Sequence, residues 1–259
     1  DDGRTRLVRD FACVPFHLPG GLTHDEALPE AATVYVQSPT AGIAQGDRHA
    51  IRVTVDSGAH AHVSTQSATK VLRMERNYGA TTVDLDVADG GYLEYLPEPT
   101  ICHRDARYRL SVDLSLGADA AAIVGDVFVP GRLARDEAFA FDHVYSRVRA
   151  TGPDGLLFDD ATDLRPGVDD PRRPGVLGDR RVLGTLYVLG APSLSDALHD
   201  RLSARDGVRA GATALPNDAG TLCRVLGDQT APVRDAVRAA WDEARRGLVG
   251  VGAPTRRKD

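Results

Sequence analysis

Cysteine is scarce in this sequence, and the few cysteines are scattered. The 259 residues include Cys13, Cys102 and Cys223, and no two of them form a Cys-x-x-Cys motif. An odd number of widely separated cysteines supports neither a disulfide framework nor a zinc site of the usual spacing. We therefore expect each cysteine to be a small buried apolar residue.

Aromatic residues and long apolar runs are also sparse. Aromatics make up 5% of the chain, which argues against the aromatic-lined cleft of a sugar-binding protein. No apolar run reaches the roughly 18 residues that a membrane-spanning helix needs, and residues 1–10 are too charged for a signal peptide. We expect a cytoplasmic protein with no membrane partner.

The chain has no strong excess of one charge. Its 31 basic and 37 acidic side chains leave a net charge of −6, and the arginines alternate with acidic residues. Without a basic patch, nucleic acid is not an expected partner. The 42% apolar content is enough to bury a substantial core. We interpret residues 1–259 as a single domain.

Three segments repeat one apolar pattern. In each, apolar residues lie seven, five and three positions before a glycine, at Gly58, Gly90 and Gly117. Apolar residues at every second position predict a strand with one buried face. The glycine permits a tight turn, and a second apolar strand follows. The sequence predicts a mainly β fold, a solenoid-like or sandwich-like stack of antiparallel strands. An ordinary β-sandwich with uneven loops is the alternative.

The last third of the chain has a different character. Residues 30–190 form the predicted β body, within which 164–179 are rich in proline, glycine, arginine and aspartate and are expected to form an exposed loop. Residues 191–250 form a predicted α+β part. Ser193 and Thr230 are placed to cap two helices near the C-terminus, the second of which has its apolar residues at helical spacing.

One short stretch, GGYLEYLPEPTICH at residues 90–103, concentrates polar and apolar side chains. Its strand has apolar residues on both faces, so Glu94 is expected to be desolvated and to need an arginine or a passing cation as partner. Pro97 and Pro99 lack the N–H groups that a sheet needs, so pairing is expected to stop at Leu96. Glu94 and Glu98 resemble the carboxylate pair of a glycosidase, but a proline separates them and aromatics are few.

Two histidines are spaced like metal ligands. His60 and His62 share one face of a predicted strand and, with Glu94, could serve a metal-dependent hydrolase. Two histidines alone make a weak site, and an exposed strand face is the simpler interpretation. The chain contains no HExxH motif, no GxSxG motif and no phosphate-binding glycine loop. The sequence therefore indicates no enzyme; a generic protein-binding or sugar-binding β module is a further alternative.

Four segments in order resemble the motifs of one known family. They are PTAGIAQGD (39–47), VSTQSATKVLRME (63–75), GGYLEYLPEPTI (90–101) and VGDVFVPGR (124–132). Together they resemble the urease accessory protein UreD, called UreH in some species. The C-terminal strands and helix are also similar, so the resemblance extends from about Thr33 to near the end. The sequence departs from the family pattern at positions that concern partner contacts, namely Ala41, Leu72, Tyr95 and Cys102-His103.

The resemblance implies a role in protein assembly and not in catalysis. UreD proteins bind apo-urease and the accessory protein UreF, and UreF in turn recruits the GTPase UreG. Nickel is thought to pass through internal tunnels in UreF and UreD to the urease active site. The resemblance therefore implies no tightly bound cofactor, only transient nickel. Such transfer needs weak oxygen or nitrogen ligands, since thiolate sites would trap the ion.

The family motifs also suggest which residues of this chain face such a passage. The candidates for lining it are acidic residues of three motifs, Asp47, Glu94 and Asp126. The candidates for supporting polar residues are Gln66, Lys70 and Arg132. The alternative for each is a buried hydrogen bond or ion pair, such as Asp126 or Glu94 with Arg132.

Overall fold

The computed structural model describes residues 3–190 and 193–254, and within them two β-sheets pack face to face. The first sheet has ten strands in this part of the chain. In chain order they are β1 (Gly21–Leu22), β2 (Ala32–Val36), β4 (His60–Thr65), β5 (Thr69–Val71), β7 (Tyr92–Tyr95), β8 (Thr100–Cys102), β10 (Ala121–Val129), β13 (Val182–Leu189), β14 (Val208–Ala214) and β15 (Gly220–Gly227). The second sheet consists of β3 (Arg48–Val55), β6 (Gly79–Val87), β9 (Arg107–Leu116), β11 (His143–Gly152) and β12 (Gly155–Leu164).

The three repeated units stack in the same orientation. Each first strand lies in the second sheet, and each return strand crosses to the first sheet. Equivalent apolar residues therefore form rows across neighbouring strands, as where Val83 pairs with Ile51 on one side and with Val112 on the other. These rows bury one continuous apolar layer between the sheets. The predicted solenoid-like, mainly β architecture with two C-terminal helices is confirmed.

The strand directions differ from the predicted antiparallel stack. Pairing between the repeated units is parallel in both sheets, for β3–β6–β9 and for β4–β7–β10. The reason is that each return strand faces its predecessor across the core and does not pair with it as a hairpin would. Antiparallel pairing is found between β11 and β12 and between β13 and its neighbours β10 and β15.

The three turns use their glycines differently. Gly58 and Gly90 have a φ of +66°, a conformation that L-residues with side chains seldom adopt. In the third turn the left-handed residue is Asp119, with a φ of +54°. Gly117 is required there for space, because a Cβ atom on it would lie 2.4 Å from Oδ1 of Asp89. The glycine pattern thus marks all three turns for two distinct reasons.

Both predicted helices are present, with starts close to those expected. They are α1 (Ser195–Ser203) and α2 (Thr230–Val249). The residues preceding them are Leu194 and Gln229, and neither helix has a side-chain cap, so Ser193 and Thr230 are not the caps that the sequence predicted. The apolar face of α2, which includes Trp241, packs on β10, β13 and β15.

The central strand β13 is covered on both sides. All eight of its residues, Val182–Leu189, are buried. One face meets the second sheet and the other meets α2. A strand in this position reads as a continuous apolar run because it has no face toward water.

The connection between β12 and β13 contains turns but no strand or helix. Most of its side chains are exposed, while Pro171 and Leu177 are buried. Of the three cysteines, Cys102 and Cys223 are buried as predicted. The prediction is wrong for Cys13, which is exposed because the N-terminal segment lies on the surface, where Phe11 and Val14 are exposed as well. Within the described residues, neither helix has the length and apolar character to cross a membrane.

Candidate functional site

A cavity of about 130 Å³ lies between the two sheets. Strands of both sheets contribute to it, and its walls mix apolar residues with hydroxyl, imidazole and carboxylate groups. The side chains that carry polar atoms in the lining include His49, Thr65, Gln66, Thr81, Tyr95, Thr100, Tyr108, Asp126, Ser146 and Tyr187. We call this space the inter-sheet cavity.

Among the residues that the structure describes, Asp126 is the one carboxylate that lines the inter-sheet cavity. It lies on β10 on the same strand face as Val124 and Phe128, which belong to the core between the sheets. Its Oδ1 atom is shielded from solvent and has no hydrogen-bond partner. Burial raises the pKa of Asp126 to about 6, and the backbone N–H of Val127 partly opposes this rise. A buried acid with a raised pKa and one oxygen without a partner, placed in a cavity, is a typical functional feature.

Neutral oxygen and sulfur groups surround this carboxylate. Burial raises the pKa of Tyr95, of Tyr108 and of Tyr187 far above the ordinary range, and the charge of Asp126 adds to each rise. The same two causes raise the pKa of the nearby Cys102. Cys102 therefore stays a thiol at neutral pH, and no thiolate is present there to hold a soft metal ion tightly.

The predicted residues Gln66 and Lys70 line the same cavity as Asp126. Asp47 does not line it. Its Oδ2 accepts the backbone N–H of Ala44 at 2.8 Å and lies 3.9 Å from Nε2 of His49. His49 is part of the lining, and burial lowers the pKa of His49 against the opposing charge of Asp47. Its lowered pKa favours the neutral imidazole at the cavity wall.

A second, smaller cavity of about 40 Å³ adjoins the first. The two share Asp126, Tyr108 and Tyr187 among their lining residues. The smaller cavity adds Asp160, whose Oδ2 accepts hydrogen bonds from the Tyr187 hydroxyl and the Arg224 guanidinium. Polar groups thus continue from Asp126 toward the β11–β12 edge of the second sheet.

Glu94 lies on the opposite face of the first sheet from Asp126. It shares that face with Tyr92, which packs toward the helices. Its carboxylate accepts hydrogen bonds from Nδ1 of His62 and from the Tyr92 hydroxyl, both at 2.7 Å. Burial acts to raise the pKa of Glu94, but these hydrogen bonds and the charges of His62 and Arg245 outweigh it, so the pKa is lowered.

The arginine that the sequence required for Glu94 is Arg245 on α2. Its Nε lies 3.2 Å from Oε1 of Glu94, and its Nη1 donates to Asp25 at 2.6 Å. The exposed fraction is 1% for the Arg245 side chain and 2% for Glu94, so the pair is fully desolvated. Glu94 and Asp25 both pair with Arg245, and this buried ion-pair network joins the first sheet, α2 and the N-terminal segment.

Arg132 also has a different partner from the one considered. Its guanidinium donates to both carboxylate oxygens of Glu137, so it pairs with neither Asp126 nor Glu94. Glu98 lines a third cavity, beside α2, and lies 3.9 Å from Arg234. The two glutamates of a glycosidase are therefore not assembled around one open cleft.

The histidine pair does not form a metal centre. His62 bonds to Glu94, while Nδ1 of His60 lies 3.8 Å from Glu30. In residues 3–190 and 193–254, no group of three or more His, Cys, Asp or Glu side chains is placed to hold a metal ion. The hydrolase built on His60, His62 and Glu94 has no site in this part of the chain.

Three residues that form the cavity linings and the buried ion pair were not singled out from the sequence. His49 had a detectable signal, because it occupies the same strand face as the apolar Ile51. Asp160 and Arg245 had none, since an acid in a polar strand and an arginine in a charged helix are ordinary features. Their importance comes from contacts with residues that are remote in the sequence.

Comparison with known proteins agrees with the motif resemblance. The family model of the UreD urease accessory protein matches residues 1–259. A urease accessory protein UreD of Haloarcula marismortui is 57% identical, covering 99% of this chain and 86% of that protein. A UreD of Natronomonas pharaonis is 48% identical, covering 99% and 87%. A protein named UreD 2 of Brucella suis is 33% identical, covering 97% and 85%. The chain belongs to the UreD family of urease accessory proteins.

Proposed function

We propose that this chain is a scaffold for nickel insertion into apo-urease. In this proposal it works in a complex with UreF and, through UreF, with the GTPase UreG, and it carries Ni²⁺ through the inter-sheet cavity. Family membership over the full chain supports a role beside urease. The relatives are named as accessory proteins and not as enzymes, which supports a role without catalysis of its own.

The observation that carries the passage proposal is the state of Asp126. A buried carboxylate normally has a fixed partner because an unpaired charge in the interior is costly. Glu94 also lines a cavity but follows this rule through Arg245, whereas Oδ1 of Asp126 has no partner. A passing divalent cation is the partner that would stabilise the ionised carboxylate for a short time.

The ligands around Asp126 suit transfer better than storage. Hydroxyl oxygens of Tyr95, Tyr108 and Tyr187 and the imidazole of His49 are weak or single ligands for Ni²⁺. Among the described residues Asp126 is the one acidic side chain in the lining, so the lining lacks the several charged ligands that would retain the ion. The predicted supporting residues Gln66 and Lys70 lie in the same lining.

A maturation experiment tests this function. Urease is produced with its accessory proteins and with this chain as wild type, as Asp126→Asn, or with Asp169→Asn as a matched control whose side chain is 63% exposed. The nickel content of urease is measured by mass spectrometry, and complex assembly by co-purification. We expect Asp126→Asn to assemble normally and to lower the nickel content, with the control unchanged. Normal nickel content for Asp126→Asn contradicts the passage, and failure of the wild-type chain to co-purify with urease or UreF contradicts the scaffold.

A further inference from the structure

The N-terminal segment carries apolar side chains that the fold leaves uncovered. Val8, Phe11 and Val14 are 83%, 86% and 91% exposed. They occur at every third position of a segment that contains no helix or strand, and every residue from 8 to 14 is exposed. Large apolar side chains held so close together in water are typical of a surface that another molecule covers. We call residues 4–14 the arm.

The arm is attached to the body of the chain at Thr5. The backbone N–H of Thr5 donates to the carbonyl of Glu30 at 2.8 Å, and its Oγ1 accepts the backbone N–H of His60 at 2.9 Å. At the other end Phe16 packs against His49, with ring centroids 4.9 Å apart. The exposed part of the arm thus lies between two fixed contacts.

A large cleft opens beside the attachment at Thr5. It has a volume of about 870 Å³ and lies on the outer face of the first sheet, between strands β2, β4 and β7 and helix α2. Ala31 and Ala61, which follow the two residues bonded to Thr5, belong to its lining, and Tyr35 and Trp241 give it aromatic walls. We call it the outer cleft. Clefts of this size accommodate ligands as large as a short peptide segment.

A buried donor in the outer cleft lacks an acceptor. Nη1 of Arg245 donates to Asp25, and its Nε lies beside Glu94. Within the described part of the chain, Nη2 of Arg245 is shielded from solvent and has no hydrogen-bond partner. The two carboxylates already balance the charge of the guanidinium, so a neutral carbonyl oxygen suits Nη2 better than a further anion. The backbone of an extended peptide segment supplies such an oxygen.

The charges of the arm and of the outer cleft are complementary. The arm contains three arginines and one aspartate. The outer cleft is lined by three carboxylates and one arginine, and one of the carboxylates, Glu26, is exposed at its rim. Complementary charges of this kind steer two surfaces together and fix their register. A segment with the composition of the arm therefore fits this cleft in both its apolar and its charged groups.

We propose that two copies of this chain form a dimer in which the arm of each copy enters the outer cleft of the other. The ring of Phe11 lies in the cleft with Trp241, a backbone carbonyl of the arm accepts a hydrogen bond from Nη2 of Arg245, and Arg9 approaches Glu26. This inference goes beyond the proposed function and does not depend on nickel.

The position of the attachment suits such an exchange. Because Thr5 is bonded beside the outer cleft of its own copy, two copies related by a two-fold axis near this point bring each arm close to the other cleft. Phe11 follows Thr5 by six residues, a reach of about 20 Å when the chain is extended. Each copy then gives and receives the same contact, as a two-fold interface requires.

Sedimentation velocity of the full chain over a range of concentrations tests the dimer. The variants are Phe11→Asp in the arm and Ala27→Trp, which fills the mouth of the cleft from an exposed position. The control is Val168→Asp, an apolar residue outside both surfaces that is 78% exposed. We expect wild type and control to dimerise as the concentration rises, and the dissociation constant to increase at least tenfold in both variants. A wild type that stays monomeric, or variants that dimerise like the control, would overturn the proposal.

Cysteine crosslinking tests the contact between arm and cleft itself. Cys13 is exposed and belongs to the arm, whereas Cys102 and Cys223 are buried. Ala27→Cys adds a thiol at the mouth of the cleft, and Val168→Cys is its control. Copies labelled with ¹⁴N and with ¹⁵N are mixed and mildly oxidised, and the linked peptides are identified by mass spectrometry. We expect Cys13 of one copy to be linked to position 27 of the other; links confined to single copies, or equal linking in the control, would contradict the exchange.

Discussion

Replacing Asp126 by asparagine should stabilise the protein while impairing nickel transfer. The carboxyl titrates near 3.8 when it is free and at about 6 in the folded chain. The folded state therefore binds this proton more tightly than the unfolded state, so the wild type loses stability as the pH rises through this range. The difference between the two pKa values corresponds to about 3 kcal/mol. Asparagine keeps the shape and has no charge to bury.

The pH dependence makes this prediction specific. Below about pH 4 the carboxyl is protonated in both states, so wild type and Asp126→Asn should have similar free energies of unfolding. Between about pH 4 and 6 the free energy of unfolding of the variant should rise above that of the wild type. Above pH 6 the difference should stay constant at up to about 3 kcal/mol.

Urea titrations at several pH values, followed by fluorescence of Trp241, measure these free energies. This tryptophan is the only one in the chain and is buried against the first sheet. Asp169→Asn, whose side chain is exposed, serves as the control and should show no gain. A variant that is no more stable than the wild type at pH 7.5, or an advantage that does not change with pH, would refute the account of Asp126.

Three other predictions concern the rest of the fold. Arg245→Ala should lower the free energy of unfolding by about 3–5 kcal/mol, because it leaves Glu94 buried and unpaired. Arg246→Ala should lower it by less than about 1 kcal/mol, because Arg246 forms its ion pair with Asp242 at the surface. Urea titration measures both values, and equal effects would contradict the role of the buried pair. The pKa of Glu94 is lowered, so the stability lost in Glu94→Gln should be largest at neutral pH and should disappear as the pH falls through the folded pKa; a loss that persists in acid would contradict this sign. Of the three cysteines, only Cys13 should react quickly with a thiol reagent in the folded chain. Rapid modification of all three would contradict the burial of Cys102 and Cys223.

The sequence predicted the β architecture better than the strand pairing. Apolar residues at every second position before Gly58 and Gly90 identify a strand and its buried face. They do not identify the partner strand, because the same alternation fits parallel and antiparallel neighbours. The parallel pairing arises from the stacking of similar units, which is a long-range property. Pro97 and Pro99 were more informative, since their missing N–H groups predicted the end of pairing close to where β7 ends, at Tyr95.

The candidate site was partly predictable for a similar reason. An acid within an apolar strand is visible in the sequence, and this pattern singled out both Glu94 and Asp126. It could not show that they lie on opposite faces of one sheet. The difference depends on Arg245, which is on α2 and remote from both in the sequence. Glu94 is paired with this arginine, whereas Oδ1 of Asp126 has no partner in the inter-sheet cavity.

The most direct test of an enclosed passage is nickel transfer in the presence of a chelator that cannot enter the protein. Apo-urease is incubated with the loaded accessory complex and an excess of the chelator, and the nickel bound to urease is measured over time. The account predicts that the complex with the wild-type chain still loads urease and that the complex with Asp126→Asn does not. Complete loss of transfer in the wild-type complex, or equal transfer by the variant, would contradict it.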